Sequence, residues 1–360
     1  MKPHVLVARL DSAGDVLLAG PAIRAVAAGA RRVTLLCGPR GRAAAELLPG
    51  VDELLVHHAP WIDPEPDPIS RAACEELVAD VAARGPEQAI VLTSFHQSPL
   101  PLALLLRLAG VATIAAISVD YPGSLLDVRH HAPEEVHEVE RSLSLVGTLG
   151  YELPADDHGG LAVLRDPSAV PASLAEWVEG TAPARGGYVV VHPGASVPAR
   201  AWEPESCAAL VADLAASGRR VAVTGGPDES ALTGMVAGDR RPEVLDLGGT
   251  TGLAGLAEVL AGADAVVVGN TGPAHLAACV GTPVVSLYAP TVPAVRWRPW
   301  KVPHEILHVD VPCAGCRARE CPVPGHPCLA GVSVEEARQA VERLATGSDG
   351  AVPTPEAVVA

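Results

Sequence analysis

Residues 266–290 constrain the fold more than any other stretch of the chain, because they form a pattern of strand, loop, helix and strand. The apolar residues 265–268 predict a buried strand that runs into a polar Gly-Asn-Thr-Gly loop. Pro273 stands where a helix is expected to begin and Gly281 just past its expected end, which is the usual asymmetry of helix termini. Residues 284–288 predict a second buried strand. The loop glycines would let a ligand approach the backbone closely.

The start of this helix is a candidate anion site. Backbone N–H groups and the helix dipole favour phosphate at a helix N-terminus. Thr271 and Gly272 would supply such groups, and His275 in the first turn is expected at the mouth of the loop rather than in the core. A well-capped helix between two strands, without a ligand, is the alternative interpretation.

Strand and helix patterns alternate along both halves of the chain, which predicts an α/β fold with parallel sheets covered on both faces. Five strands are predicted in the first half, at residues 4–10, 32–37, 53–56, 88–92 and 112–118. Five more are predicted in the second half, at residues 188–192, 219–224, 244–246, 265–268 and 284–288. The predicted domains are residues 1–160 and 161–332, followed by a terminal helix at 333–345 and a tail at 346–360 that is expected to be disordered.

Charge and composition argue against several classes of protein. The formal net charge of −16 disfavours nucleic acid or an anionic membrane surface as the main partner. Residues 100–119 are almost wholly apolar, but Pro101, Arg107 and Gly110 favour a buried helix, a turn and a strand over a membrane span. No signal peptide is recognised before the first strand, so we expect a cytoplasmic protein without a transmembrane span, with peripheral membrane attachment left open. The glycine fingerprints of dinucleotide-binding proteins and P-loop enzymes are not found.

Three motifs, in order along the chain, resemble glycosyltransferase family 9, the family of the ADP-heptose:lipopolysaccharide heptosyltransferases. They are VLVARLDSAGDVL at residues 5–17, HPGAS at 192–196 with Arg200 and Trp202 after it, and GNTGPAHLAA at 269–278 with GTP at 281–283 and PT at 290–291. The resemblance covers about residues 4–345. It implies the GT-B arrangement, in which two Rossmann-like parallel-sheet domains face each other across a cleft. It further implies that the N-terminal domain binds the acceptor, that the C-terminal domain binds the nucleotide-sugar donor, and that the last helix packs back on the N-terminal domain.

Asp15 is the candidate catalytic base. It follows Gly14 after the first strand, at the carboxyl end where open α/β sheets bind ligands, and it matches the aspartate of the family's Gly-Asp loop. Sugar transfer to an alcohol requires the acceptor hydroxyl to lose its proton as it attacks the anomeric carbon. An acidic residue favoured only by the helix dipole is the alternative. Asp11, His96 and Gln97 are further candidates on the acceptor side.

The expected donor leaves as a nucleoside diphosphate, whose charge must be held by helix N-termini and a cation if no metal is used. By the resemblance, Arg200 matches a basic residue that the family places on the diphosphate, where an Arg fork can bind. Many family members carry Asp where this chain has Asn270, which keeps hydrogen-bonding geometry towards the donor sugar but loses the charge. Glu229 is a candidate for the ribose hydroxyls. The predicted donor-site residues are His192, Gly194, Ser196, Arg200, Glu229, Asn270, Thr271, Gly272 and His275.

Four cysteines form a dense cluster at Cys313, Cys316, Cys321 and Cys328. Four thiolates at such spacing could bind a structural zinc ion tetrahedrally. Reduced thiols without a metal are the alternative, and the resemblance implies that no cofactor is required.

The residues and the resemblance together predict an inverting, metal-independent glycosyltransferase. It would move a sugar, heptose by the resemblance, from a nucleotide-diphosphate donor such as ADP-heptose to a glycan or glycolipid acceptor. Three other functions stay open, which are a nucleotide-sugar epimerase on the same architecture, a non-catalytic nucleotide-sugar binder, and a zinc-dependent module built on the cysteine cluster. The sequence identifies neither the acceptor nor the nucleotide base.

Overall fold

The computed structural model describes residues 2–180 and 187–346. The chain divides into two units, Met1–Leu164 and Arg165–Ala360, and the boundary predicted from the sequence was at residue 160. Apart from Thr346, the tail predicted at residues 346–360 lies outside the described residues.

The first unit is built on a parallel sheet of six strands. Its strands are β1 (His4–Arg9), β2 (Arg32–Cys37), β3 (Glu53–Val56), β4 (Gln88–Leu92), β5 (Thr113–Ile117) and β6 (Val128–His130). Its helices are α1 (Ala13–Leu18), α2 (Gly20–Gly29), α3 (Arg42–Ala45), α4 (Arg71–Arg84), α5 (Leu100–Leu108) and α6 (Glu138–Gly147). The strand order is β3-β2-β1-β4-β5-β6, and every neighbouring pair is parallel.

The order of this sheet reverses beside β1. The chain passes from β1 outward to β3 and then returns to the other side of β1 as β4. All of β1 is buried, as expected for a central parallel strand covered on both faces. Leu6 and Ala8 of β1 pack in one cluster with Leu102 and Leu106 of α5. The crevice between the carboxyl ends of β1 and β4 is the topological switch point, where open α/β sheets bind their ligands.

The second unit repeats the plan. Its strands are β7 (Tyr188–His192), β8 (Arg220–Val223), β9 (Val244–Asp246), β10 (Ala265–Gly269), β11 (Val284–Leu287) and β12 (His304–Leu307). Its helices are α7 (Ala172–Gly180), α8 (Pro204–Ala216), α9 (Ser230–Ala237), α10 (Leu253–Ala261), α11 (Gly272–Cys279), α12 (Ala294–Trp297), α13 (Pro327–Ala330) and α14 (Val334–Thr346). The parallel order β12-β11-β10-β7-β8-β9 has its switch point between β7 and β10.

The last helix packs within the second unit. Helix α14 packs on α8 and on the sheet of that unit, and Ala337, Ala340 and Val341 lie in the same buried cluster as Leu210 and Leu214 of α8. The contact with the N-terminal domain that the family resemblance implies stays a prediction.

The edges of the sheets, the first helices and the apolar stretch 100–119 can be compared with what the sequence predicts. Each sheet gains an edge strand, β6 and β12, where five strands were predicted. The apolar stretch after the first loop forms two helices, α1 and α2, which meet at Ala19, two residues before Pro21. The apolar stretch 100–119 is a helix, a turn and a strand as predicted. In the described part of the chain, no helix has both the length and the apolar character needed to cross a membrane.

Candidate functional site

Arg9 is the centre of a charged cluster at the switch point of the first unit. It ends β1, where the apolar strand meets the polar loop, and its side chain is only 2% exposed. Its Nη2 atom lies 3.0 Å from Oδ2 of Asp11 and 3.0 Å from Oδ1 of Asp15. Nη2 also donates to Oγ of Ser94 at 2.9 Å, and Nη1 lies 3.9 Å from Oε2 of Glu138. One buried cation therefore stands among three carboxylates.

Asp15 is the most accessible carboxylate of this cluster. Its side chain is 20% exposed, against 6% for Asp11 and 1% for Glu138. Both of its oxygens are oriented, because Oδ1 accepts from Arg9 and Oδ2 accepts from Oγ of Ser12 at 2.8 Å. A partly exposed carboxylate with both oxygens oriented can lie within reach of a bound hydroxyl, which is the first requirement of a general base.

Asp11 lies deeper and has a different environment. Its Oδ2 accepts from Oγ of Ser94 at 2.8 Å, which joins the loop after β1 to the loop after β4 across the switch point. Burial raises the pKa of the Asp11 carboxyl, while the positive charge of Arg9 opposes this shift. Asp11 therefore holds the cluster together, and it is not the accessible acid of the site.

The other two acceptor-side candidates, Gln97 and His96, differ in their contacts. Oε1 of Gln97 accepts from the backbone N–H of Ser94 at 3.0 Å, so Gln97 shapes the turn that carries Ser94. His96 is exposed, and its ring meets that of Phe95 edge-on at 5.3 Å. The structure brings Gln97 to the carboxylate cluster, where its side chain is also hydrogen-bonded to Asp11.

In the second unit, His192 and Glu229 meet at the carboxyl ends of β7 and β8. Nδ1 of His192 is 3.0 Å from Oγ1 of Thr224, and its Nε2 is 4.0 Å from Oε2 of Glu229. The backbone N–H of Gly226 donates to Oε2 of Glu229 at 2.7 Å. Burial lowers the pKa of His192, so the ring is neutral near neutral pH.

The backbone of Gly194 lies directly against the carboxylate of Glu229. A Cβ atom at Gly194 would overlap Oε1 of Glu229. The loop after β7 and the 3₁₀ turn Pro227–Glu229 therefore pack directly together, with Glu229 between them. Ser196, later in the same loop, is exposed.

Arg200 lies on the other side of the switch point of the second unit. Its Nε donates to Oγ1 of Thr291 at 3.3 Å. Its backbone oxygen passes so close to Gly269 that a Cβ there would lie 2.6 Å from it. The missing side chain at the end of β10 therefore lets the 3₁₀ turn Pro198–Arg200 reach the loops that follow β10 and β11.

Asn270 has a structural role at the end of β10. Its Nδ2 donates to the backbone oxygen of Ala289 at 3.1 Å, and its Oδ1 accepts from the N–H of Ala289 at 3.2 Å. Both ends of the amide thus tie the loop after β10 to the segment after β11, in a position only 6% exposed. The contact of Asn270 with a donor sugar stays a prediction, and the structure adds this backbone tie to it.

Two further expectations about the loop after β10 need correction. The N–H of Thr271 donates to the backbone oxygen of Gly269 at 2.8 Å, which removes Thr271 from the backbone donors expected to face a phosphate. His275 is 5% exposed, so it is buried on α11 and does not lie at the mouth of the loop. Helix α11 itself begins at Gly272, and Gly281, with φ of 81°, follows its end as predicted.

The four clustered cysteines border one small cavity together with His326. Cys313 and Cys316 are exposed, and Cys328 is buried. Among the described residues, no three His, Cys, Asp or Glu side chains are arranged to hold a metal ion. The cysteine loop does contact the segment of Arg200, because Nε2 of His326 is 3.1 Å from the oxygen of Ala199.

Sequence reasoning missed Arg9, Ser94 and Glu138 as members of the cluster. A signal existed for Arg9, because a charged residue that ends an otherwise apolar buried strand must have a partner. Ser94 and Glu138 carry no such local signal, since only the fold brings them to Arg9.

Comparison with known proteins supports the same architecture. The model of glycosyltransferase family 9 (heptosyltransferase) matches residues 97–326. The "Lipopolysaccharide heptosyltransferase 3" of Escherichia coli is 33% identical over 116 residues, which is 31% of this chain and 34% of that protein. The aligned part thus spans about a third of the length of that curated relative.

Two solved structures show the fold. The E. coli ADP-heptose lipopolysaccharide heptosyltransferase II has a TM-score of 0.72 at 18% identity, over 97% of this chain and 100% of that one. The iron-containing dodecameric glycosyltransferase TibC from enterotoxigenic E. coli has a TM-score of 0.56 at 14% identity, over 96% of this chain and 77% of that one. The two parallel-sheet units are thus those of a GT-B α/β fold.

Proposed function

This chain belongs to glycosyltransferase family 9, and from that premise we propose that it transfers a heptose from ADP-heptose to a hydroxyl of a glycan or glycolipid acceptor. The observation that carries the proposal is Asp15, a carboxylate oriented by Arg9 and Ser12 at the switch point of the first unit and partly open to solvent. The heptose and the ADP are inferred from the family and from the relatives it resembles.

We assign Asp15 the role of general base. The acceptor oxygen attacks the anomeric carbon as Asp15 takes its proton, and the bond from that carbon to the diphosphate oxygen breaks, with the electron pair leaving on ADP. A single displacement of this kind inverts the anomeric configuration. Arg9 stabilises the negative charge of Asp15 before the transfer, and it holds the carboxylate in one orientation.

We assign donor binding to the second unit. Arg200 supplies a positive charge for the diphosphate, and Gly272 at the start of α11 supplies a backbone N–H. Glu229, held by Gly226, is suited to accept hydrogen bonds from ribose hydroxyls. His192 and Gly194 position Glu229, and Asn270 positions the loop before α11.

We propose that the reaction needs no metal ion. On this proposal Arg200 and the end of α11 meet the charge of the leaving diphosphate. The iron of TibC is a property of that protein, and the four cysteines here lie outside the residues assigned to the reaction. The protein is expected to act in the cytoplasm, where nucleotide sugars are made.

Purified protein tests the proposal directly. A thermal-shift series with ADP-, GDP- and UDP-sugars should give the largest stabilisation with ADP-heptose, because a ligand of the native state raises its apparent stability. ADP release should then require both ADP-heptose and an acceptor fraction, and NMR of the product should show an inverted anomeric centre.

Two outcomes would support the other functions. Conversion of the donor into a new nucleotide sugar without an acceptor would indicate an epimerase. Tight ADP-heptose binding without ADP release in any acceptor fraction, together with an unaltered Asp15→Asn variant, would indicate a binding protein.

A further inference from the structure

A cavity of about 350 Å³ lies beside the carboxyl end of β3, within the first unit. Residues 55–61, residues 67–70 and one side of α4 enclose it. This volume falls within the range of small-molecule sites. None of the residues assigned above to acid–base chemistry or to the donor lines it.

The cavity adjoins the charged cluster. Trp61 forms part of its wall and also lines a second, smaller pocket that contains Asp11 and Thr93. Trp61 is therefore a lining residue shared by the cavity and by the pocket at the switch point of the first unit.

The wall combines an aromatic surface with hydrogen-bonding groups. The rings of Trp61 and His57 lie 6.1 Å apart, and His58 is beside them. Burial, with a smaller effect of His58, lowers the pKa of His57, so its neutral ring can both donate and accept hydrogen bonds. A large aromatic face beside groups of mixed polarity matches a sugar ring, which has an apolar C–H face and a rim of hydroxyls.

The charge of the wall is negative. Asp67, Glu76 and Asp80 line the cavity, and the described residues that line it include no Lys or Arg. Arg84 compensates one of these charges, since its Nη1 lies 3.4 Å from Oδ1 of Asp80. A phosphate or carboxylate in this cavity would face carboxylates of the same sign, whereas hydroxyls would find acceptors.

A metal ion fits this cavity less well than a sugar. No three His, Cys, Asp or Glu side chains in the described ranges are arranged around a common point as ligands. Asp67 lies on the loop, whereas Glu76 and Asp80 lie one turn apart on α4, and each carboxylate can accept hydrogen bonds from hydroxyls.

We propose that this cavity is the subsite for an acceptor sugar that carries no phosphate or carboxylate, so that a neutral sugar or an amino sugar binds there against Trp61. Its assignment to the acceptor rests on the proposed glycosyl transfer. The negative wall makes the cavity a specificity-determining element against anionic acceptors.

Ligand-observed saturation-transfer NMR on the full chain tests the proposal. The probes are the methyl glycosides of glucose, galactose and mannose, their 2-amino-2-deoxy analogues, and the matching uronates and 6-phosphates. At least one neutral or amino probe should bind. The affinity of the matching uronate and 6-phosphate should be lower by a factor of about ten or more. Trp61→Ala should abolish the signal, while Trp177→Ala, which changes a tryptophan in the second unit, should preserve it.

A second variant, with a substitution on the surface, tests the proposal even if Trp61→Ala does not fold. Glu76 is exposed on α4, so Glu76→Lys should fold normally and should bind the 6-phosphate probe about tenfold more tightly than the wild type does. Anionic probes that bind the wild type as well as neutral ones would overturn the proposal. So would a failure of every probe to bind, or binding that neither variant changes.

These results are separable from the proposed function. ADP-heptose binding and ADP release are measured on the same samples. Selective sugar binding without ADP release would support the cavity as a sugar-binding site. It would contradict the proposed glycosyltransferase activity. If ADP release depends on the acceptor and both variants leave it unchanged, the proposed glycosyltransferase activity is supported. The assignment of the cavity to the acceptor is then contradicted.

Discussion

The Nη2 atom of Arg9 lies 3.0 Å from Oδ1 of Asp15, and this ion pair joins the end of β1 to the first turn of α1. The pair is asymmetric, because the guanidinium is 2% exposed and the carboxylate 20% exposed. The cation is therefore sealed from solvent, while the anion can be reached by a substrate hydroxyl. The ion pair therefore fixes the orientation of an accessible carboxylate, and the proposed general base must lie within reach of the hydroxyl proton that it takes.

Asp15→Asn should reduce turnover by about 10²–10⁴, since the amide cannot take the proton of the acceptor hydroxyl. ADP affinity should stay close to that of the wild type, because Asp15 lies in the first unit and the proposed donor residues lie in the second. Steady-state kinetics and calorimetry with ADP measure the two effects. The exposed Asp156→Asn serves as the matched control, and equal turnover in both variants would remove Asp15 from the mechanism.

Arg9→Met should lower the free energy of unfolding by about 3–5 kcal/mol at pH 7, because Asp11, Asp15 and Glu138 would lose their common buried cation. The loss should shrink towards acidic pH, where the carboxylates can protonate. Urea unfolding at pH 7 and pH 5 measures it. Arg71→Met removes an exposed i,i+4 pair with Glu75 and should cost less than about 0.5 kcal/mol. Similar losses in the two variants would contradict the central role of Arg9.

The central strands could be predicted from the sequence, but the edges of the sheets could not. β1 and β7 are fully buried, so burial on both faces leaves a continuous apolar run that can be recognised locally. β6 and β12 have only half-buried residues and contain charged and histidine side chains, so their sequences resemble loops. Their strand structure depends on pairing with β5 and β11.

The candidate site shows the same division between local and long-range information. The position of Asp15 in the first turn of α1 was predictable, because it depends on a strand end and a helix start that lie within a few residues of it, whereas its catalytic role stays a prediction. The role of Asn270 was not, because its amide binds the backbone of Ala289, which the sheet brings next to it. His275 was placed wrongly because the first turn of a helix can face solvent or core, and only packing decides which.

Gly194→Ala should weaken ADP binding, because a Cβ there would displace the carboxylate of Glu229. Stability should change little, since the displaced group is the end of a flexible side chain. Gly252→Ala is the matched control, because no atom lies within 4 Å of the Cβ it would add. Calorimetry with ADP should separate the two variants. Unchanged affinity in Gly194→Ala would place the nucleotide away from Glu229.

His192 should make the protein less stable as the pH falls below about 6.5. Burial lowers its pKa from that ordinary value in the folded state, so below pH 6.5 the unfolded chain binds a proton that the folded chain does not. Stability from this group is then lost as the pH decreases, by about 1.4 kcal/mol for each unit of pKa difference. Urea unfolding between pH 7 and pH 5 should show a smaller decrease for His192→Gln than for the wild type. The variant of the exposed His131, His131→Gln, should retain the decrease, and a parallel loss in all three proteins would contradict the assignment.

Chelation should leave turnover intact. The proposed mechanism meets the diphosphate charge with Arg200 and the start of α11, and the described residues offer no metal-binding group of three or more His, Cys, Asp or Glu. Activity is measured before and after EDTA, and the metal content of the protein is determined by mass spectrometry, with Cys313→Ser/Cys316→Ser as the companion variant. If the wild type contains a stoichiometric metal that this variant lacks, and the variant retains turnover, then the cysteine loop binds an ion that takes no part in the reaction. Turnover lost to EDTA and restored by Mg²⁺ or Mn²⁺ would overturn the metal-free mechanism, and it would direct the search for ligands to Asp228, Glu229 and Asp264.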